Sequence, residues 1–189
     1  MIGKGKSISH GVAALEYDLA KEINGQAVAT EIARHELYGC TGAEMVQEMK
    51  PYHIDFPNVK NNCLRFEVSP SIEESATFTD ADWAELGNDF MQRMGLANHQ
   101  YIIIRHSGTE SKKEQAHLHI LANRVSLSGE LYRDNWIGKK ATEAANAIAK
   151  ERNFGQSQDI GKVNKAEIKE AMDGVLKKMQ GFDFTKFKE

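Results

Sequence analysis

The sequence predicts an α+β fold, an antiparallel sheet with helices packed mainly against one face. Three observations predict it. Apolar runs that alternate or run on unbroken, such as NCLRFEVS (62–69) and YIIIRH (101–106), read as strands. Between them stand stretches with apolar residues at helical spacing, two of them opened by capping boxes. Late in the chain, neighbouring strands are joined by links of hairpin length, which favours antiparallel pairing. At 189 residues, 41% apolar and 27% charged, the chain can bury a substantial core.

Taken in order, MIGKGKSI (1–8) reads as an opening strand or arm, with Lys4 and Lys6 set between glycines. Ser9 caps a helix expected to run to about Ile23, with Val12, Leu15, Leu19 and Ile23 on one stripe. Tyr17 falls roughly opposite that stripe, off the core face. Residues 26–38 form a second helix or an extended segment, closed by Gly39. Thr41-x-x-Glu44 opens a short helix that stops at Pro51, and 52–61 is a loop. In 62–69, Leu64, Phe66 and Val68 face inward, while Arg65, Glu67 and Ser69 face out. Thr79-x-x-Asp82 caps a helix showing Trp83, Leu86, Phe90 and Met94, which ends at Gly95. Residues 99–106 form a strand, and Ile102-Ile103-Ile104 gives it a central position. A charged loop over 107–115 leads to a strand over 116–125. Ser128-Gly129 then turns the chain into Leu131-Tyr132-Arg133. Helices follow over 139–151 and about 165–179, and the ending FDFTKFKE has no core-like feature. The organisation expected is one domain over 1–155 and a helical extension over 156–189 that continues into a longer protein.

No apolar run is long enough to span a bilayer and no signal-peptide pattern opens the chain, so no membrane insertion is expected. Cys40 and Cys63 have no metal-ligand spacing, and a reduced, cytoplasmic setting fits them. The net charge of −3 is unevenly spread. Residues 1–100 carry 8 basic and 15 acidic side chains, and residues 101–152 carry 9 basic and 6 acidic. A local basic surface of this kind can bind phosphates.

The chemistry centres on His117-Leu118-His119. In a strand, residues i and i+2 share a face, so the two imidazoles project side by side. If the run ending at His106 pairs alongside, a third imidazole joins them. Three histidines with an open side make a catalytic rather than a closed metal site. A divalent ion there would act on an oxygen ligand, and beside a basic surface phosphate is a good candidate. Tyr17 can supply a nucleophile, since a phenolate attacks phosphorus and holds a covalent phosphodiester. Asn123 shares the histidine face and can donate to phosphate. Glu67 can serve as a base or as the partner of a histidine.

The strand ending in His106, the polar gap, and His117-x-His119 followed by Asn123-Arg124 resemble the third motif of plasmid mobilization relaxases, which are His-hydrophobe-His endonucleases. MIGKGKSISHGVAALEYDLAKE is similar to their first motif, a basic arm before a helix carrying the catalytic tyrosine, and NCLRFEVS sits where the second motif stands. The resemblance covers roughly residues 1–155. It implies a five-stranded antiparallel sheet flanked by helices and a protein that nicks one strand of an origin of transfer. Tyr17 would attack and stay on the 5′ phosphate, while His106, His117 and His119 would hold magnesium or manganese. Lys4, Lys6, Arg105, Arg124 and Arg133 would contact single-stranded DNA. Accessory mobilization proteins and the coupling protein of a secretion channel would be partners. Gly108 stands where the family often carries an aspartate, and His10, His35 and Tyr38 are other nucleophile candidates. Competing readings are a replication initiator or transposase of the same superfamily, a non-catalytic DNA-binding module, and an unrelated metal hydrolase. Against the first, Tyr132 is the one tyrosine beyond the histidine motif, and it falls on a strand.

Overall fold

Five strands form one antiparallel sheet in the computed structural model, which describes residues 1–108 and 115–178. Their order is β1 (Ile2–Ile8), β5 (Cys63–Ser69), β7 (His117–Ser126), β6 (His99–His106) and β4 (Ala29–His35). The expected charged loop over 107–115 is described only at its ends, and FDFTKFKE lies outside the described residues. A two-stranded hairpin, β2 (Glu22–Ile23) with β3 (Gln26–Ala27), stands apart. The α+β class and the five-stranded antiparallel sheet expected from the sequence are present.

Helices cover both faces, not mainly one. On one face, Leu64, Phe66, Val68, Ile103, Leu118 and Ile120 pack against α4 (Asp80–Arg93) and α5 (Ile137–Glu151). On the other, Cys63, Ile102, Ile104 and Leu121 pack against α1 (Gly11–Leu19) and α2 (Gly42–Met49). The inner strands β7 and β6 carry apolar residues at both parities, so each of their faces needs a cover.

Local chemistry sets the helix boundaries. Thr41 and Thr79 both cap as expected, and Ser71 forms a third capping box for the short α3 (Ile72–Ser75). Helix α1 differs from expectation. His10 precedes it without a side-chain cap, and it stops at Leu19 rather than near Ile23. The reason is Asn24-Gly25, with φ of 54° and 74°, the left-handed pair that closes a two-residue hairpin. Ile23 is therefore strand, and the buried side of α1 is Gly11, Ala14, Leu15 and Asp18. Residues 26–38 resolve to the extended alternative.

Helix α5 lies close on the edge strand β1. A β-carbon at Gly3 would fall 2.5 Å from the Ala141 carbonyl oxygen and 2.6 Å from the Ala145 methyl. Glycine on one face of β1 thus admits the alanine face of α5, while Lys4 and Lys6 project to the opposite face. Helix α6 (Ser157–Lys178) buries none of its described side chains. No helix among the described residues is long and apolar enough to cross a membrane.

Candidate functional site

Strand register assembles the site. β6 and β7 pair so that His106 stands opposite His117, and β5 pairs with β7 so that Glu67 stands opposite His119. All four side chains take the α1 face of the sheet. The ring centroids of His106, His117 and His119 are 4.5–5.4 Å apart. One nitrogen from each ring lies within 4.8 Å of the others, and this is the one such group among the described residues.

Hydrogen bonds orient the rings. His106 Nε2 donates to the main-chain carbonyl of Asp18 at 2.7 Å, which leaves Nδ1 with its lone pair. His117 Nδ1 donates to the Gln115 carbonyl at 3.1 Å, which leaves Nε2 free to accept. The Nε2 atoms of His117 and His119 are 3.0 Å apart. Two nitrogens held at right angles on one ion, each at about 2.1 Å, would also be about 3.0 Å apart, so the spacing fits a shared metal. Burial, the other two histidines, Arg65 and Lys21 together push the His119 imidazolium down to about 2. Burial likewise lowers His106. These rings stay neutral at ordinary pH and keep the lone pairs that a metal needs.

Asp18 is the residue that sequence reasoning missed. It sits on the buried side of α1, and its carboxylate takes a two-pronged bond from Arg65: Nη2 to Oδ1 at 2.5 Å and Nε to Oδ2 at 3.1 Å. The same Oδ1 lies 3.8 Å from His119 Nδ1, and Arg65 Nη2 lies 3.4 Å from that nitrogen. Burial pushes the Asp18 carboxyl up while the Arg65 guanidinium pulls it down. Asp18 thus touches two of the three histidines, one by its carbonyl and one by its carboxylate. An acidic residue three positions after the core residue Leu15 was the available signal.

Tyr17 precedes Asp18 on α1 and is 55% exposed. Lys21 Nζ donates to its hydroxyl at 2.6 Å and lies 4.8 Å from the ring centroid. Lys4, Lys6, Arg65, Glu67 and His119 line a groove of about 210 Å³ that opens toward the edge strand. Within it Lys4 Nζ and Glu67 Oε1 form an ion pair at 3.0 Å. The other nucleophile candidates lie elsewhere. His10 is exposed at the far end of α1, and His35 stacks on Tyr101 and bonds the His99 carbonyl. Tyr38 donates to Glu36, and that bond together with the nearby Glu48 raises its phenol.

Four expected site residues are not at the cluster. Asn123 shares the face but lies four strand positions from His119, about 13 Å away. It is fully buried, donates to Gln100 and Met49, and accepts from His53 and the Val125 amide. It serves the fold rather than a phosphate. Arg105 and Arg124 face the opposite side of the sheet, where Arg105 pairs with Asp80 at 2.5 Å and Arg124 with Asp134 at 2.6 Å. Arg124 also donates to the Asn61 and Tyr132 carbonyls, so it staples the return segment after β7. Arg133 is exposed and also away from the cluster.

The family model described as relaxase, MobA/VirD2-like, nuclease domain, matches residues 17–154. No curated protein sequence matches the chain. Among solved structures, the conjugative relaxase TrwC in complex with oriT DNA, in its metal-bound form, is similar at 12% identity and a TM-score of 0.48. The alignment covers 85% of this chain and 70% of that one.

Proposed function

This chain belongs to the relaxase family of MobA/VirD2-like nuclease domains, whose activity is DNA nicking, and from that premise we propose a metal-assisted tyrosine transesterification. The substrate is one strand of an origin of transfer, and the cut initiates conjugative mobilization. The observation that carries the proposal is the convergence of His106, His117 and His119, with one ring nitrogen from each within 4.8 Å of the others. An ion held there, magnesium or manganese, would supply Lewis-acid polarisation of the scissile phosphate. The all-nitrogen donor set favours manganese over magnesium.

The chain's own residues supply the rest. The Tyr17 oxygen attacks phosphorus, the new O–P bond forms and the P–O3′ bond breaks. The 5′ phosphate stays on the tyrosine, and the released 3′ oxygen takes a proton from water. Lys21 sets a cation against the attacking oxygen. Glu67, half-exposed on the same face, is assigned the phenolic proton. Lys4, Lys6 and Arg65 offer cations to the flanking phosphates along the groove. Tyr17 is favoured over His10, His35 and Tyr38 because it adjoins Asp18, which touches the triad.

Residues 1–155 make up the nuclease unit in this reading, tied at its ends by the Met1 ammonium on the Gly155 carbonyl and on Glu74. The chain from residue 156 on is a separate extension in this reading, with α6 (Ser157–Lys178) as its described part. Single-stranded DNA, accessory mobilization proteins and a coupling protein are the partners, in the cytoplasm.

The test mixes the protein and Mn²⁺ with single strands tiling its own element, followed by denaturing gels and peptide mass spectrometry. A DNA adduct on Tyr17, absent in Tyr17→Phe and His117→Ala, is the expected result. An adduct on another residue would replace the nucleophile. Strand binding with no adduct anywhere would leave a DNA-binding module instead.

A further inference from the structure

Trp136 is a large apolar side chain set where folding alone gives it no reason to be. It is 81% exposed, while the other tryptophan of the sequence, Trp83, is 2% exposed in the core against Phe78. Its backbone is left-handed, φ 58° and ψ 28°, a conformation that bulky residues adopt only under constraint. The strained turn delivers an indole into solvent at the start of α5.

Cations stand beside that indole. Lys139 and Lys140 share its surface hollow with Glu143, and Arg133 is exposed three residues before it. Lys140 Nζ is fixed by the Arg133 carbonyl at 2.7 Å and by the Tyr132 ring at 4.9 Å. Lys139 makes an exposed contact with Glu143 at 3.8 Å. Two lysines against one carboxylate beside a flat aromatic face, with Arg133 exposed nearby and Asp134 taken up by Arg124, is chemistry that recognises single-stranded nucleic acid.

The position suits such a ligand. A β-carbon at Gly138, two residues on, would lie 3.5 Å from the Gly5 carbonyl, so the start of α5 adjoins edge strand β1. The other side of β1 carries Lys4 and Lys6 into the histidine groove. From His119 the path crosses two strand spacings, about 10 Å, and then one layer of similar depth.

We propose that Trp136 is a stacking platform for a nucleobase of the DNA strand lying outside the cleavage groove, with Lys139, Lys140 and Arg133 receiving the adjacent phosphates. The platform rests on the relaxase reading but needs no metal and no cleavage. It sets how much strand beyond the scissile phosphate the protein holds.

The test is a metal-free titration of the full chain with the tiled strands, following both strand anisotropy and tryptophan emission. Bound strand quenches the emission of the wild-type protein and shields it from acrylamide. Trp136→Asn removes the indole while tolerating the left-handed backbone. It is expected to lose the quenching and to bind about 5- to 150-fold more weakly, the range for one stacked base. Lys139→Ala with Lys140→Ala should flatten the salt dependence of binding, which a purely structural role would not do. Strand binding with unchanged affinity and undiminished quenching in Trp136→Asn would overturn the platform and leave the relaxase reading standing. No strand binding by the wild type on any tile would overturn both.

Discussion

Arg65→Met is expected to destabilise the protein far more than an ordinary surface arginine change would. The Asp18 side chain is 2% exposed and Arg65 20% exposed, and two short bonds join them. Removing the arginine leaves a carboxylate buried beside His119 with no cation to replace it, a loss of about 3–5 kcal/mol. That is roughly a third of a typical domain's stability, and roughly 10 °C in melting temperature for a chain of this size. Asp18→Asn leaves Arg65 with access to water, so its cost is smaller, about 1–3 kcal/mol. Asp18→Asn added to Arg65→Met should therefore recover about 2 kcal/mol, because the double variant buries no charge. Urea unfolding of the four proteins at pH 7 in EDTA, with equal m-values, measures the cycle. If Arg65→Met cost under about 1 kcal/mol and the second change recovered nothing, the pair would be solvent-screened and the buried carboxylate idea wrong.

Four further outcomes are expected. Mn²⁺ at a hundred times its dissociation constant should add about 2.7 kcal/mol to stability, an increment that His119→Ala abolishes in a melting assay. Asp18→Asn should weaken Mn²⁺ binding by about 10- to 100-fold in a calorimetric titration, since outer partners of ligating histidines carry that much; unchanged affinity would remove Asp18 from the site. Burial pushes the Cys63 thiol up to about 12, and its side chain is fully enclosed, so iodoacetamide at pH 8 should label exposed Cys40 and spare Cys63 until the protein unfolds. His99 is lowered by burial and bonds the Asn123 carbonyl at 2.8 Å, so its folded form stays neutral while the unfolded chain takes up a proton below about 6.5. Stability should then fall as pH drops through that value, by up to about 1.4 kcal/mol per pH unit for this one group, and His99→Gln should make the slope shallower by one proton.

Residues that act through strand parity were legible in the sequence, and residues that act through helix phase were not. His-x-His and the run ending at His106 needed only a period of two and one antiparallel pairing, and the observed register supplies both. The helix that carries Tyr17 needed a correct end point. The Asn24-Gly25 turn was present as a sequence signal, but the stripe of Val12, Leu15, Leu19 and Ile23 was extended through it. With Ile23 removed from the helix, its buried side shifts to Ala14, Leu15 and Asp18, and the one buried carboxylate of the site comes into view. Asn123 failed for the opposite reason. Parity put it on the correct face, but parity carries no information about distance along the strand, and its amide is taken up four positions away by Gln100, Met49 and His53.

The same contrast separates what holds the metal ligands from what holds the nucleophile. His106, His117 and His119 stand on β6 and β7, inner strands paired on both sides and packed on both faces, where local opening costs the most. Tyr17 stands on a nine-residue helix with no side-chain cap, ending in a short hairpin. Its tie to the triad runs through its neighbour Asp18, at His106, His119 and Arg65. Changes that loosen α1 should therefore weaken metal binding by no more than the loss of Asp18 does, and should slow tyrosine attack further. Gly11→Ala separates the two, because its new β-carbon would fall 2.6 Å from Cys63 Sγ and push the start of α1 off the sheet. Mn²⁺ affinity weakened by about tenfold or less, with adduct formation on Tyr17 slowed by about a hundredfold, is the expected result, since a 1 Å misplacement can cost that much in rate. Equal losses in both would mean that α1 and the histidine strands move as one body and that Asp18 is no separate link.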